Sequence, residues 1–188
     1  MVWNYRTNLV KQAVGEYSYK RLGDRSVVEG LRNAAERSRR CKTGVGCTFR
    51  VDDMAFFHFT LADLVHSDQQ ISQAAHLLTA GRTPGERRLC VHEVPYEDYL
   101  YDRRGTMQSL YRFVGLPFED TSPKRFEATK DNMCEVVQNW DELCRNFYGC
   151  FAWRAMMDDF SNGCTCEQMG TESRYCSTNV KKLRRQAS

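Results

Sequence analysis

The run Leu89-Cys90-Val91-His92-Glu93-Val94, stopped by Pro95, limits the fold more than any other stretch of this chain. It is too short for a stable helix. An apolar run bounded by turn residues suits a strand, central in a parallel sheet. Val2 and Trp3 read as the end of a second buried strand. Helical spacing fills the chain between them. Leu9, Val10, Ala13, Val14 and Tyr17 mark one helix, and Val27, Val28, Leu31 and Ala35 mark another over residues 25–39. A third begins at an N-cap-like Thr60 with Asp63 at N3, and follows Leu61, Leu64, Ile71, Ala75 and Leu78 to about Ala80. Strands separated by helices predict an α/β layer fold. Two parallel strands leave both sheet edges open, so further strands are expected from upstream sequence or another chain.

Beyond Pro95, Asp102 can cap a helix whose apolar face is Met107, Leu110, Tyr111 and Val114. Gly115 and Pro117 end it as a C′ glycine and a following proline do. A helical pair is expected over residues 131–148, with Met133, Val136, Val137, Trp140, Leu143 and Phe147 facing inward. After Gly149 the pattern fades, and from about Ser161 the chain reads as polar and loose. The expected division is a domain over residues 1–150 and a polar, cysteine-containing basic tail over residues 151–188. Lys42-Thr43-Gly44-Val45-Gly46-Cys47-Thr48 resembles a phosphate loop superficially. It follows a helical run ending in Arg39-Arg40 where a phosphate loop needs a strand, so it is expected to be a surface loop.

Charge narrows the function classes. The net charge is +3, but Lys181, Lys182, Arg184 and Arg185 stand in the last eight residues; the rest holds 23 bases against 24 acids. A nucleic-acid binder carries its basic face on the folded body, which argues against that class. No apolar stretch reaches the roughly 18 residues needed to span a bilayer. The first residues carry no signal-peptide core. The chain as given therefore reads as soluble, in the cytoplasm or the lumen of the secretory pathway.

Nine cysteines are too many to ignore and too odd in number to pair completely within the chain. Cys90 lies in the strand-like run, and Cys134 and Cys144 lie in helical runs; all three read as buried thiols. Cys164-Thr165-Cys166 with Cys176 lacks the loop spacing and the fourth ligand of a zinc site. A disulfide near the C-terminus fits the same residues. His58, His66, His76 and His92 are scattered, without the i, i+4 spacing of a metal pair, and are expected to be structural.

Two segments carry a resemblance. The longer is Val94-Pro-Tyr96-Glu97-Asp98-Tyr-Leu100, then Asp102-Arg-Arg-Gly105-Thr106, then Leu110-Tyr-Arg-Phe113-Val-Gly115-Leu-Pro117. It resembles the late strand and helix of sulfotransferases, where a Y-E-D-L run leaves a strand and a helix ending in F-L-G-x-P follows. Thr129-Lys-Asp131-Asn-Met133 and Val137-Gln-Asn139-Trp140-Asp-Glu142-Leu143 continue the likeness to the closing helices of the bacterial-type and algal branches. The second segment, Trp3-Asn-Tyr-Arg6-Thr-Asn8 through Ala13-Val14-Gly15, is similar to the R-x-N-x-x-x-x-A-V-S stretch of the same family. That stretch binds the 3′-phosphate of the sulfate donor, 3′-phosphoadenosine 5′-phosphosulfate.

The resemblance implies a partial P-loop-like sulfotransferase domain, a short parallel sheet flanked by several helices. It implies Arg6 on the 3′-phosphate and Tyr96 against the adenine, each with a bland counterpart as a surface ion pair or a core tyrosine. Lys124 and Arg125, after Ser122-Pro123, fall in a loop that either closes over the cofactor or stays solvated; Lys124 is carried as the third cofactor contact. Glu97 and Asp98 are expected to cap the turn after the strand and to pair with a base such as Arg104. Gly15 stands where the family has a serine, which removes one phosphate donor. The family's K-x-G-T-T loop and catalytic base precede the arginine segment and have no counterpart here, so the domain is expected to be N-terminally incomplete. The implied activity is sulfuryl transfer to a hydroxyl or amine acceptor, a carbohydrate or a small molecule. The alternative is a non-catalytic homologue retaining part of the nucleotide site. No catalytic residue and no metal ligand is assigned.

Overall fold

The computed structural model describes residues 1–20, 48–80, 90–120, 132–158, 163–167 and 173–187. In chain order the elements are β1 (Val2–Tyr5), α1 (Leu9–Lys20), α2 (Met54–Ala80), β2 (His92–Pro95), α3 (Tyr96–Tyr101), α4 (Arg103–Val114), α5 (Met133–Val136), α6 (Trp140–Leu143), a π-helical turn (Cys144–Tyr148), α7 (Phe151–Met157) and α8 (Val180–Ala187). The protein is helix-rich and mixed, with one short parallel sheet among the described residues. The helix expected over 25–39, the glycine-containing stretch 42–47 and Lys124 lie outside them. The chain forms two compact units, residues 1–7 with 66–124, and residues 8–65 with 125–188.

In the first unit β1 and β2 run parallel, with Val2 opposite His92, Trp3 opposite Glu93, Asn4 opposite Val94 and Tyr5 opposite Pro95. Proline has no N–H for the ladder, so pairing stops there and α3 begins at the next residue. β1 is not the buried strand end expected from its sequence: Val2 is 44% exposed and Asn4 is exposed, because one neighbouring strand covers little of a strand's surface. Val94 is buried.

Helix α4 starts and stops for local reasons. The Asp102 carboxylate accepts the Gly105 N–H at 2.9 Å, one of the orphan donors of the first turn. A Cβ on Gly105 would collide with that carboxylate, so the glycine makes room for the cap. Gly115 ends the helix with φ of 76°, and its N–H and that of Leu116 reach back to the carbonyls of Arg112 and Tyr111. The packed ring is Phe113, stacked on His92 of β2 at 5.0 Å. Val114, expected on the apolar face, is 49% exposed.

The second unit holds the dense core. Leu9, Val10, Ala13, Val14 and Tyr17 of α1 are buried with Phe57 and Leu61 of α2, and with Trp140, Leu143, Phe147, Trp153 and Met157. Asn8 caps α1 by accepting the Lys11 N–H at 3.1 Å, and its amide donates to the Met156 carbonyl at 3.0 Å. Helix α2 begins at Met54, six residues before the expected Thr60, because the Asp53 carboxylate caps it by accepting the Phe56 N–H at 2.9 Å. Thr60 is buried inside the helix. The helical pair expected over 131–148 is broken at Val137, where a parallel bridge to Phe49 takes the backbone: Phe49 donates to Val136 at 3.0 Å and Gln138 donates to Phe49 at 2.9 Å. Asn139 continues that ladder with its side chain, accepting the Val51 N–H at 2.9 Å and donating to the Val51 carbonyl at 3.0 Å.

The cysteine reading is corrected here. Cys134 and Cys144 are not thiols; disulfides join Cys134 to Cys164, Cys144 to Cys166 and Cys150 to Cys176. Cys90 is a free thiol, exposed instead of buried. The described part of the C-terminal stretch is correspondingly not loose: Cys164, Tyr175 and Val180 are buried.

Candidate nucleotide-side site

The candidate site lies in the first unit, at the carboxyl ends of its two parallel strands. That edge is where ligands bind in open α/β sheets, because backbone groups and loop side chains converge there. Arg6 follows the last residue of β1 and Tyr96 follows the last residue of β2. The register pairs Tyr5 with Pro95, so the next residue of each strand lies side by side. The Arg6 guanidinium sits over the Tyr96 ring, 4.4 Å from its centroid. Both side chains are half-buried. A cation over an aromatic face is held by the ring's quadrupole, worth about 0.5–1 kcal/mol at a site this open. It uses none of the five guanidinium donors.

Two acids near the rim, Glu97 and Glu93, have partners of their own. Glu97 accepts the Thr7 N–H at 2.9 Å, which ties α3 to the end of β1. Glu93 accepts the Tyr5 hydroxyl at 3.2 Å. No carboxylate pairs with Arg6 among the described residues. The expected partner of Glu97 and Asp98, Arg104, instead approaches Asp120 at 3.9 Å.

Two titrating groups here were not singled out by sequence. The Tyr5 phenol is pushed up by burial, then by its bond to Glu93 and the charges of Glu93, Asp98 and Asp68. The Asp68 carboxyl on α2 is pushed up by burial. Its only signal in the sequence is a polar interruption, Ser67-Asp68-Gln69-Gln70, in an otherwise apolar helical run. Shifted groups beside a strand edge are a mark of binding sites and of structural ion networks alike.

Arg6 and Tyr96 line neither of two clefts found among the described residues. One, of about 180 Å³, lies in the first unit among Tyr99, Arg103, Arg104, Met107, Phe118 and Asp120, and is small for a nucleotide. The other, of about 700 Å³, lies in the second unit between Tyr17, Asp52, Asp53, Glu142, Asn146 and Arg174. Gly15 is exposed on α1 with no atom within 4 Å of where a Cβ would stand. Among the described residues no group of three His, Cys, Asp or Glu could hold a metal, and no helix is long and apolar enough to cross a membrane.

Set against family models, curated proteins and solved structures, the chain shows no significant match to any of them.

Proposed function

We propose that this chain is a sulfotransferase-like protein whose Arg6 and Tyr96 form the nucleotide side of a site for 3′-phosphoadenosine 5′-phosphosulfate. The observation that carries the reading is the Arg6 guanidinium held over the Tyr96 ring at the carboxyl edge of two parallel strands, with its donors unpaired among the described residues. The ring fixes the cation without consuming its N–H groups, which leaves a fork for two phosphate oxygens. The half-buried aromatic ring of Tyr96 suits an adenine lying beside it. The chemistry of the family it resembles is transfer of a sulfuryl group: the sulfur–oxygen bond to the phosphate breaks and a new bond forms to a hydroxyl oxygen or amine nitrogen. The acceptor's proton leaves to a base. Such transfer depends on positioning and on cations at the departing oxygens, as phosphoryl transfer does. Arg6 serves positioning at the far phosphate of the donor; the described residues supply no assigned base.

A second reading, a binding module without transferase activity, is favoured by Gly15. Its exposed position on α1 has no hydroxyl where the resembling family has one.

The test is calorimetric titration with adenosine 3′,5′-bisphosphate at low salt. One-to-one binding is expected, weakened about 10- to 100-fold in Arg6→Ala, the range for losing charge-assisted hydrogen bonds. Adenosine 5′-monophosphate, which lacks the 3′-phosphate, is expected to bind wild type and Arg6→Ala alike. No heat at millimolar bisphosphate, or an Arg6→Ala variant that binds as well as wild type, would reject the assignment. Turnover of the phosphosulfate donor separates the enzyme from the binding module.

A further inference from the structure

The three disulfides share one arrangement. Each has one cysteine in the stretch from α5 to the start of α7, at Cys134, Cys144 and Cys150, and the other in the C-terminal segment, at Cys164, Cys166 and Cys176. The order along the two stretches is the same, so the described parts of the segment, 163–167 and 173–180, are fixed to the helices at three points like a strap. It covers an aromatic floor. Tyr175 stacks on Phe147 at 5.3 Å, its carbonyl accepts the Trp153 indole N–H at 2.8 Å, and the Ser177 carbonyl meets the His58 ring nitrogen at 2.7 Å. The Ser173 hydroxyl donates to the Asn146 carbonyl, and the Cys166 N–H donates to Asp158 at 3.2 Å. Arg174 and Tyr175 form one wall of the 700 Å³ cleft of the same unit.

Among its described residues the strap has little apolar bulk. Among its described side chains outside the cysteines, Tyr175 and Val180 are the buried hydrophobics, whereas its neighbours are Thr165, Glu167, Ser173, Thr178 and Asn179. Ordering a segment of this length costs backbone entropy at every residue, and two buried side chains with a handful of hydrogen bonds offset little of it. The crosslinks supply the difference by denying the open state its freedom.

We infer that the C-terminal segment is a redox-latched strap: closed over the His58–Phe147–Trp153 floor when the three disulfides are formed, and released from it when a dithiol reduces them. Each reduction passes two electrons and two protons from the dithiol, which closes to its own disulfide, and leaves two cysteine thiols. In an oxidising compartment the strap stays latched; against a glutathione-reduced pool it does not. Release removes Arg174 and Tyr175 from the cleft wall and bares the aromatic floor, so the cleft is complete in the oxidised protein alone.

The experiment treats the full chain with dithiothreitol, alkylates it, and maps the labelled peptides to confirm that the cysteines of all three crosslinks are free. Trypsin cleavage after Arg174 is expected to accelerate at least about tenfold, since cleavage follows the population of the open form. Tryptophan emission is expected to shift to the red as Trp153 meets water, with the far-UV helical signal retained. The double variant Cys150→Ser/Cys176→Ser, which leaves the other two crosslinks, is expected to show part of the same acceleration. Unchanged cleavage and emission after complete reduction would overturn the strap. So would loss of the whole helical signal, which would make the disulfides staples of the entire unit.

Discussion

Among the described residues of the first unit, Ala75 and Val94 are the buried hydrophobic residues, and α3 and α4 bury none. The second unit buries three rings of α-helical origin to below 2% exposure, Tyr17, Phe57 and Trp153, together with Phe147 of the π-turn, and adds three disulfides. The unit that gathers the candidate ligand groups is thus the one with the least apolar burial. Rims of short parallel strands make good binding edges because their backbone and side-chain groups are left unspent, and the same fact makes them poor cores. The dense unit carries the stability, and its polar groups are mostly consumed in holding it: Asn139 on Val51, Trp153 on Tyr175, His58 on Ser177.

The largest effect that could break this contrast is a truncation in each core. Trp153 is fully buried and its indole N–H is bonded, so Trp153→Ala is expected to destabilise the second unit by about 3–5 kcal/mol. Val94→Ala removes two methyl-sized groups from the first unit and is expected to cost about 1–2 kcal/mol. Hydrogen exchange resolved along the chain measures both. Equal losses would show that the sheet unit owns a core the burial pattern does not reveal.

A smaller effect follows from His58. Its ring is buried against Phe147, Trp153 and Tyr175, and that burial pulls its pKa below the ordinary value, opposed by the Ser177 carbonyl. A depressed histidine means that the unfolded chain takes up its proton first as the pH falls. The neutral ring costs nothing above the ordinary value of about 6.5, and stability declines as the pH drops below it toward the lowered folded value. Urea midpoints of the second unit, taken between roughly pH 8 and 5, are expected to fall toward acid, with a shallower slope in His58→Gln. An identical slope in the variant would remove His58 from the account.

The two units also differed in how far their sequences could be read. In the first, the signals for element ends were local, although its strands pair across a separation like the 90 residues between Thr7 and Glu97: Pro95 ends a strand, Asp102 caps a helix with Gly105 beside it, and Gly115 stops that helix. The neighbourhood of Arg6 and Tyr96 follows from two short strands pairing in parallel, which the apolar runs already suggested. In the second, the decisive interactions leave no local signal in the sequence. Cys134, Cys144 and Cys150 find partners 22 to 30 residues away, and nothing in a helical run distinguishes such a cysteine from a buried thiol. The bridge between Phe49 and Val137 interrupts a pattern that is helical by periodicity, because tertiary pairing outweighs a weak local preference. Helix α7 was missed for a related reason. It spans Phe151–Met157, with Trp153 and Met157 buried and Phe151 95% exposed, so its apolar residues do not mark one face.

The smallest prediction sharpens the contrast at a position where both kinds of reading meet. Gly15 lies inside α1 of the dense unit, exposed, with open space around the missing Cβ. A glycine there loses more backbone freedom on folding than alanine would, and nothing in the packing asks for it. Gly15→Ala is therefore expected to stabilise the second unit by about 1 kcal/mol, read as a rise in the urea midpoint at unchanged slope. A destabilised variant would mean that the helix needs the glycine's bare backbone, as a close-approaching ligand would require. A stabilised one would mean that Gly15 is tolerated at a cost the disulfide-bonded core can bear, as a weak point in α1 is tolerable where Tyr17 and Val10 already anchor the helix.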